Sequence, residues 1–553
     1  MIVRSAATRG LVAILLVATA LGGCRGTAGS IAALEARPAT TPVLLDTLDD
    51  AALLHLLSRL TFGPRPGDVA RVRAAGVERW LEQQLNPVAI DAAVEPELRA
   101  LPSLTLSIAE LHRDYPRPDA ALREKIASGE MSRRELTERY PPEQRPARIT
   151  AELQSAKVLR AVAGERQLQE VMVDFWFNHF NVFAGKGEVR WYVTAYERDV
   201  IRPHALGRFP DLVRATARHP AMLFYLDNWL SVRPGFTPRT GPNAGRPAGL
   251  NENYARELME LHTLGVDGGY TQTDVTEVAR AFTGWSIDQP RGDARFVFRP
   301  FLHDGGEKVV LGQRLPAGGG QVDGERVLDL LTDHPATARF VATKLVRRFV
   351  SDDPPPALVA RVAARYRETR GDVPAMLRAI VTAPEFWAPA GRHAKIKKPF
   401  EFVTSAVRAL DGAVDARGAA TLARAVAEIG EPLYEAQPPT GHPDRAAAWV
   451  NAGALLARMN FALALVQQRL PGVRTDLAAV LPPRERTEPR AVLDGLLAAI
   501  LHGQVTPETR TVLVAQLDHP EIRRQTQDDR GAPDADVPRL AALVIGCPEF
   551  QRR

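Results

Sequence analysis

The stretch Asp174–Phe183, DFWFNHFNVF, sets one histidine, one aspartate and two asparagines among five bulky aromatics. On an ideal helix of about 100° per residue, Asp174, Asn178 and Asn181 fall within about 60° of one another, a polar strip over 171–183. His179 lies about 100° from Asn178, beside Met172, Trp176 and Phe183, and faces the apolar side. Burial there lowers an imidazole's pKa and keeps it neutral. The neutral ring is also the metal-ligand form. His179 therefore reads either as a core histidine with one hydrogen-bond partner or as a catalytic or metal-binding group.

Outward from this helix the spacing stays helical. Leu53, Leu54, Leu57 and Leu60 form an apolar series after Thr47, with Asp50 supporting a helix start there. GPRPGD at 63–68 is a turn, Gly76 interrupts the next helix, and 104–132 and 150–170 are helix-rich. Residues 231–250, SVRPGFTPRTGPNAGRPAGL, form a loop long enough to suggest function or disorder. RFVFRPFLHDGGEKVVLGQ at 295–313 carries two short β-like runs, FVF and KVVLG, around a glycine turn. The fold class is mainly α, a large multi-helical body with a small β-ribbon near residues 295–313. Residues 46–395 form a helical core and 396–553 a C-terminal helical region of the same unit. DVPAMLRAIVTAPEF at 372–386 echoes DVPRLAALVIGCPEF at 536–550. A reused helix-and-cap device explains this, as does a duplicated unit; prolines 374 and 538 suit first turns, and 384 and 548 suit helix exits.

The chain begins MIVRSAATRGLVAILLVATALGGC. Arg4 and Arg9 precede an apolar run at 11–21 that is too short to span a bilayer comfortably. Residues 1–23 read as a signal peptide ending at Cys24, and LGGC resembles the lipobox of bacterial lipoproteins. Cys24 is the expected lipidation site, with 24–45 as lipidated N-terminus and tether; ordinary secretion is the plainer alternative. Arg25 stands where many inner-membrane lipoproteins carry aspartate, which leans towards the outer membrane, facing the periplasm or the surface. Cys24 and Cys547 are the only cysteines, so no disulfide framework or cysteine-based metal site is expected. The formal charge of +5 falls to +3 without Arg4 and Arg9, and no basic tract or aromatic ladder points to nucleic acid.

Several segments together resemble one family. They are LLSRLTFGPRPGDV at 56–69, FWFNHFNVF at 175–183, HPAMLFYLDN at 219–228 and NENYARELMELHTLGVDGGYTQTDVTEVARAFTGW at 251–285, then HDGGEKVVLG at 303–312, ATKLVRRFV at 342–350 and KKPFEFVTSAVRAL at 397–410. This resembles the DUF1800 family of large, mostly exported bacterial proteins, over nearly the whole mature chain. The resemblance implies no reaction and no catalytic residue. In relatives the gene often lies beside one for a sulfatase-like exported protein, which implies a partner of that kind.

Two further clusters are candidates. In NENYARELMELH, Asn253, Glu257 and Glu260 share a face within about 60°, with His262 roughly opposite. A close carboxylate pair could hold a divalent cation or share a proton. A solvated face, or one paired by Arg256 and Arg280, is the plainer reading. The spacing is neither Glu-x-x-His nor His-Glu-x-x-His. A metal site would draw on His179, Glu257, Glu260 and His262, not all on one ion. Thr273 is placed to cap a helix running to Phe282, with Asp274 and Glu277 in its first turn and Gly284 and Trp285 ending it. His303 and Asp304 precede Gly305 and Gly306 in a turn, a plausible acid/base pair, and Lys308 could bind an anion or pair with Asp304. GxSxG, P-loop and CxxCH motifs are absent, GPNAG at 241–245 follows no strand, and Ser231 has no identifiable triad. Two functions remain. One is a metal- or carboxylate-assisted envelope enzyme acting on a cell-surface or extracellular polymer, through His179, Glu257, Glu260, His262, His303 and Asp304. The other is a non-catalytic scaffold or binding lipoprotein.

Overall fold

A computed structural model describes residues 42–86, 94–117, 119–139, 141–238, 245, 248–481, 488–519 and 536–553. Residues 1–23, Cys24 and most of the 24–45 tether lie outside the described residues, as does the middle of the 231–250 loop. Among the described residues, no helix is long and apolar enough to cross a membrane.

The helix Gln167–His179 is buried on nearly every side. Its first turn has no side-chain cap of its own. A buried glutamine from another helix, Gln84, does that work. Gln84 Oε1 accepts from Leu168 N at 3.1 Å and Gln84 Nε2 donates to Glu165 O at 3.1 Å, so one side chain fixes the helix entry. Gln167 Oε1 accepts from Phe62 N, tying in the turn after helix Asp50–Leu60. The helix ends at His179 rather than continuing to 183. Asn178 and Asn181 give their amides to carbonyls of the 436–442 segment instead. Asn178 also accepts from His442 N, so it pairs with that segment as a backbone unit would. Helix Ala147–Ala163 runs beside it, and Trp176 Nε1 donates to Ala205 O at 3.0 Å. One continuous apolar core runs from Leu45 to Phe550.

The mainly α fold is as read, with local differences. Helix Asp50–Leu60 is capped by Asp49, whose carboxylate accepts from Ala52 N, and Thr47 ends a short 3-10 turn. Gly76 does divide helices Asp68–Ala75 and Val77–Leu85. The cap of helix Gln272–Ala281 is Thr271, two residues before Thr273, in a capping box with Asp274.

The β-structure is three separate antiparallel pairs among the described residues. Strand β1, Trp285–Asp288, pairs with β2, Arg295–Phe298. Strand β3, Lys308–Val310, pairs with β4, Gln313–Leu315. Strand β5, Ala413–Val414, pairs with β6, Val473–Arg474. The two runs expected to make one ribbon therefore belong to different hairpins. Trp285 begins a strand because Gly284 turns the chain at φ +80°, where a Cβ would meet Arg299 O at 2.7 Å. The echoed segments become helices Val373–Val381 and Val537–Gly546, each capped by an aspartate with proline in the first turn, as a reused cap requires. Pro384 and Pro548 stand just past the ends of these helices, as exit prolines do, and Pro384 also opens the short helix Pro384–Trp387.

Candidate functional site

His179 is 3% exposed and enclosed by Trp176, Phe180, Phe209 and Phe340. Its Nε2 donates to His262 O at 3.0 Å, and its Nδ1 has no partner. The two imidazole centroids stand 6.1 Å apart. Burial, then the Lys344 charge, then His262 push the His179 pKa well down. Burial and Lys344 push His262 down to about 3. Both rings are neutral at pH 7, and His262 Nε2 is also unpartnered.

His262 reaches this place through a π-helical turn, Leu258–Thr263, that continues helix Asn253–Glu257. Such turns insert a residue into the helical repeat and recur at functional sites. Thr263 Oγ1 donates back to Leu258 O and Leu264 N to Met259 O, absorbing the longer spacing. His262 points inward, and Glu257 and Glu260 are only partly buried. Tyr270 donates to Glu260 at 3.3 Å. Arg256 and Arg280 do not pair with this carboxylate couple: Arg256 goes to Glu252 and Gln272, and Arg280 to Glu277 and Asp304. Burial first, and the Glu260 charge second, raise the Glu257 pKa.

A raised carboxyl pKa disfavours the folded state once the pH rises through the unfolded value into the folded one. Glu257→Gln is therefore expected to raise the thermal midpoint modestly at pH 7 and to leave it unchanged near pH 4. Scanning calorimetry at the two pH values checks this; no gain at pH 7 would remove the strain assigned to Glu257.

The His303–Asp304 turn is a latch. His303 Nδ1 donates to Thr283 O at 2.8 Å, and Nε2 lies 3.2 Å from Asp323 Oδ2. Lys308 Nζ donates to Asp323 Oδ2 at 2.8 Å and to the carbonyls of Asp304 and Gly306 at 2.6 and 2.9 Å. Lys308 and Asp323 side chains are wholly sealed. Asp304 turns away to a two-point contact with Arg280 at 2.7 and 3.2 Å. Arg280's hydrogen bonds hold the Asp304 carboxyl well below the usual range. Lys308 pairs with Asp323, not Asp304.

The six candidates thus fall into three places: His179 with His262 in the core, Glu257 with Glu260 at an edge, and His303 with Asp304 in the latch. Among the described residues, no three His, Cys, Asp or Glu side chains are grouped to hold a metal ion. A single site joining all six is corrected by this geometry: the π turn sends His262 inward while the carboxylates stay at the edge. The 231–250 loop is held at its described ends, by Val232 N to Gly249 O and Arg233 N to Leu302 O. Ser231 accepts from Asn251 N at 3.1 Å.

A family model described as a protein of unknown function, DUF1800, matches residues 55–552. The chain belongs to the DUF1800 family. No curated protein and no solved structure matches it. The DUF1800 match takes in every group above, so the histidine pair, the carboxylate edge and the latch all sit in the family unit. Sequence reading missed Asp323, the carboxylate of the latch, and Lys344, whose charge adds to burial in keeping the histidine pair neutral. Asp323 is separated by 20 positions from His303, and only the fold of the two hairpins brings it in. Lys344 sits in ATKLVRRFV, which reads as an ordinary amphipathic helix.

Proposed function

We propose that this DUF1800 protein is a lipid-anchored protein of the bacterial cell envelope whose folded body is a binding or structural unit. The observation that carries the body's role is where its polar side chains are spent. Asn178 and Asn181 fasten the 436–442 segment, and His303, Lys308 and Asp323 fasten one hairpin to helix Gln321–Asp333. Buried networks of this kind hold elements in register. Anchoring rests on the LGGC start; the other cysteine, Cys547, is buried, and burial pushes its thiol up to about 12 and keeps it unreactive. Arg25 favours outer-membrane delivery.

One observation favours a second reading, a carboxylate-assisted enzyme acting on an envelope polymer. Glu257 is a carboxyl whose pKa burial and then the Glu260 charge raise against the opposing Arg256, the condition in which a carboxylic acid serves as a general acid. A divalent cation at the Glu257–Glu260 edge belongs to the same reading, and a sulfatase-like exported protein is a partner for either.

Cys24→Ala tests the anchor. In cells fed a palmitate analogue, the parent chain should carry label and sediment with membranes, and the variant should lose both. An unlabelled parent chain in the soluble fraction would overturn the anchor. A deletion strain separates the two roles of the body. Rescue by Glu257→Gln/Glu260→Gln at equal protein level supports the binding unit, and failure to rescue supports the enzyme.

A further inference from the structure

A cavity of about 60 Å³ lies between helix Asp50–Leu60, the start of helix Pro399–Ala409, the 501–504 turn and residues 549–553. At ~30 Å³ per water, it has room for about two waters or one small oxyanion. Its floor is Lys397, Glu401 and Arg553, all more than nine-tenths buried. Exposed Arg552 and half-buried Gln504 stand at its mouth.

The buried donors around it are not all used. Lys397 Nζ rests 3.8 Å from the centre of the Phe550 ring and has no hydrogen bond or ion pair among the described residues. Glu401 is already claimed. Arg348 Nη1 and Arg553 Nη2 lie 2.7 and 3.0 Å from its Oε1, and Lys398 N donates to its Oε2. Arg553 keeps Nε and Nη1 without partners. Just behind, Arg59 is wholly buried, donates Nη2 to Gly391 O, and leaves Nε and Nη1 unpartnered. Glu549 at the rim is held by Thr506 at 3.0 and 2.8 Å. Four buried cationic side chains, Arg59, Arg348, Lys397 and Arg553, thus share the buried carboxylate of Glu401, with Asp352 acting on Arg59 and Glu549 at the rim as the other acidic groups. Burial of charge without a counter-charge is expensive. Burial pushes Lys397 down to about 7 and Arg59 to about 9. Arg59, Arg348 and Lys397 come from three of the segments that carry the family resemblance, 56–69, 342–350 and 397–410.

We infer that this cavity is a binding site for a small oxyanion, with Lys397 and Arg553 as its ligating side chains. An oxyanion in the cavity accepts from Lys397 Nζ and from the spare donors of Arg553. A phosphate-type oxyanion can enter as the free ion or as the anionic group of a larger ligand that leaves through the Arg552–Gln504 mouth. The inference gives the binding unit its ligand class and rests on that reading. A chain that anchors to membranes and rescues the deletion strain but ignores oxyanions would overturn the site alone.

The test is calorimetric titration of the purified mature chain with inorganic phosphate and with glycerol phosphate, against chloride at matched ionic strength. One or both should bind, and tighter glycerol phosphate binding assigns the oxyanion to a larger ligand. Lys397→Met should fold, because it removes an unpaired buried ammonium, and should weaken binding by about tenfold or more, the scale of one charge-assisted contact. Ser58→Phe, which narrows the cavity without altering charge, should abolish binding. Arg367→Gln, on an exposed helix face, should leave it unchanged. Absence of binding by both anions, or equal binding by the Lys397→Met and Ser58→Phe chains, would overturn the site.

Discussion

Asp323→Ala is expected to lower the unfolding free energy by roughly 3–5 kcal/mol at pH 7, the usual cost of removing one partner from a buried ion pair. The Asp323 and Lys308 side chains are fully sealed, with Nζ to Oδ2 at 2.8 Å, and His303 adds a second contact to the same oxygen. Without the carboxylate, Lys308 keeps only the Asp304 and Gly306 carbonyls. In the parent chain Gly319 lies so close that a Cβ there would stand 1.8 Å from Asp323 Oδ1, so the loop depends on glycine to pass the carboxylate. Urea titration of the single variants and of Asp323→Leu/Lys308→Met separates the two contributions. The double variant should lose distinctly less than Asp323→Ala, because it removes both charges together. Equal losses in the two would mean that shape rather than charge holds the latch.

What the sequence discloses here follows from how local each interaction is. The wheel over 171–183 placed His179 inward and Asp174, Asn178 and Asn181 on one strip, because helical periodicity is a local property. It could not stop the helix at His179, since the groups that take over Asn178 and Asn181 come from 436–442, more than two hundred residues on. The same wheel put His262 away from the Glu257–Glu260 face but assumed a regular period, and the π turn Leu258–Thr263 breaks it. FVF and KVVLG were readable as strands but not as partners of Trp285–Asp288 and Gln313–Leu315, because pairing is tertiary. The Lys397 cavity was invisible for a related reason. KKPFEF reads as a capped helix start, and only packing against residues 549–553 strips Lys397 of solvent.

The strip that opens DFWFNHFNVF carries the other large expected effect. Asp174 is the first residue of that stretch, and a solvated aspartate would contribute little. Instead its Oδ1 sits 2.9 Å from Lys157 Nζ, and its Oδ2 3.7 Å from Lys398 Nζ, with all three residues more than nine-tenths buried. Lys398 has a second carboxylate in Glu431 at 3.3 Å, whereas Asp174 is the one ion-pair partner of Lys157 among the described residues, with the rings of Phe177, Phe400 and Tyr434 around it and Glu197 acting on it from farther off. Burial alone would raise the Asp174 pKa; the Lys157 and Lys398 charges outweigh it and hold the carboxyl far below the ordinary aspartate range. A depressed carboxyl pKa stabilises the folded state above the unfolded value of about 3.9 and loses that stabilisation as the pH falls through the folded value. Asp174→Asn, which keeps the shape, is therefore expected to cost roughly 3–5 kcal/mol at pH 7 by leaving Lys157 without its anion. It should also flatten the acid limb of the stability curve below about pH 4, where the parent chain loses the Asp174 contribution and the variant has none to lose. Urea titrations at pH 7, 5 and 3 measure both. A loss at pH 7 under about 1 kcal/mol, the scale of an exposed pair, would mean that solvent reaches Lys157 and that the helix does not depend on its aspartate.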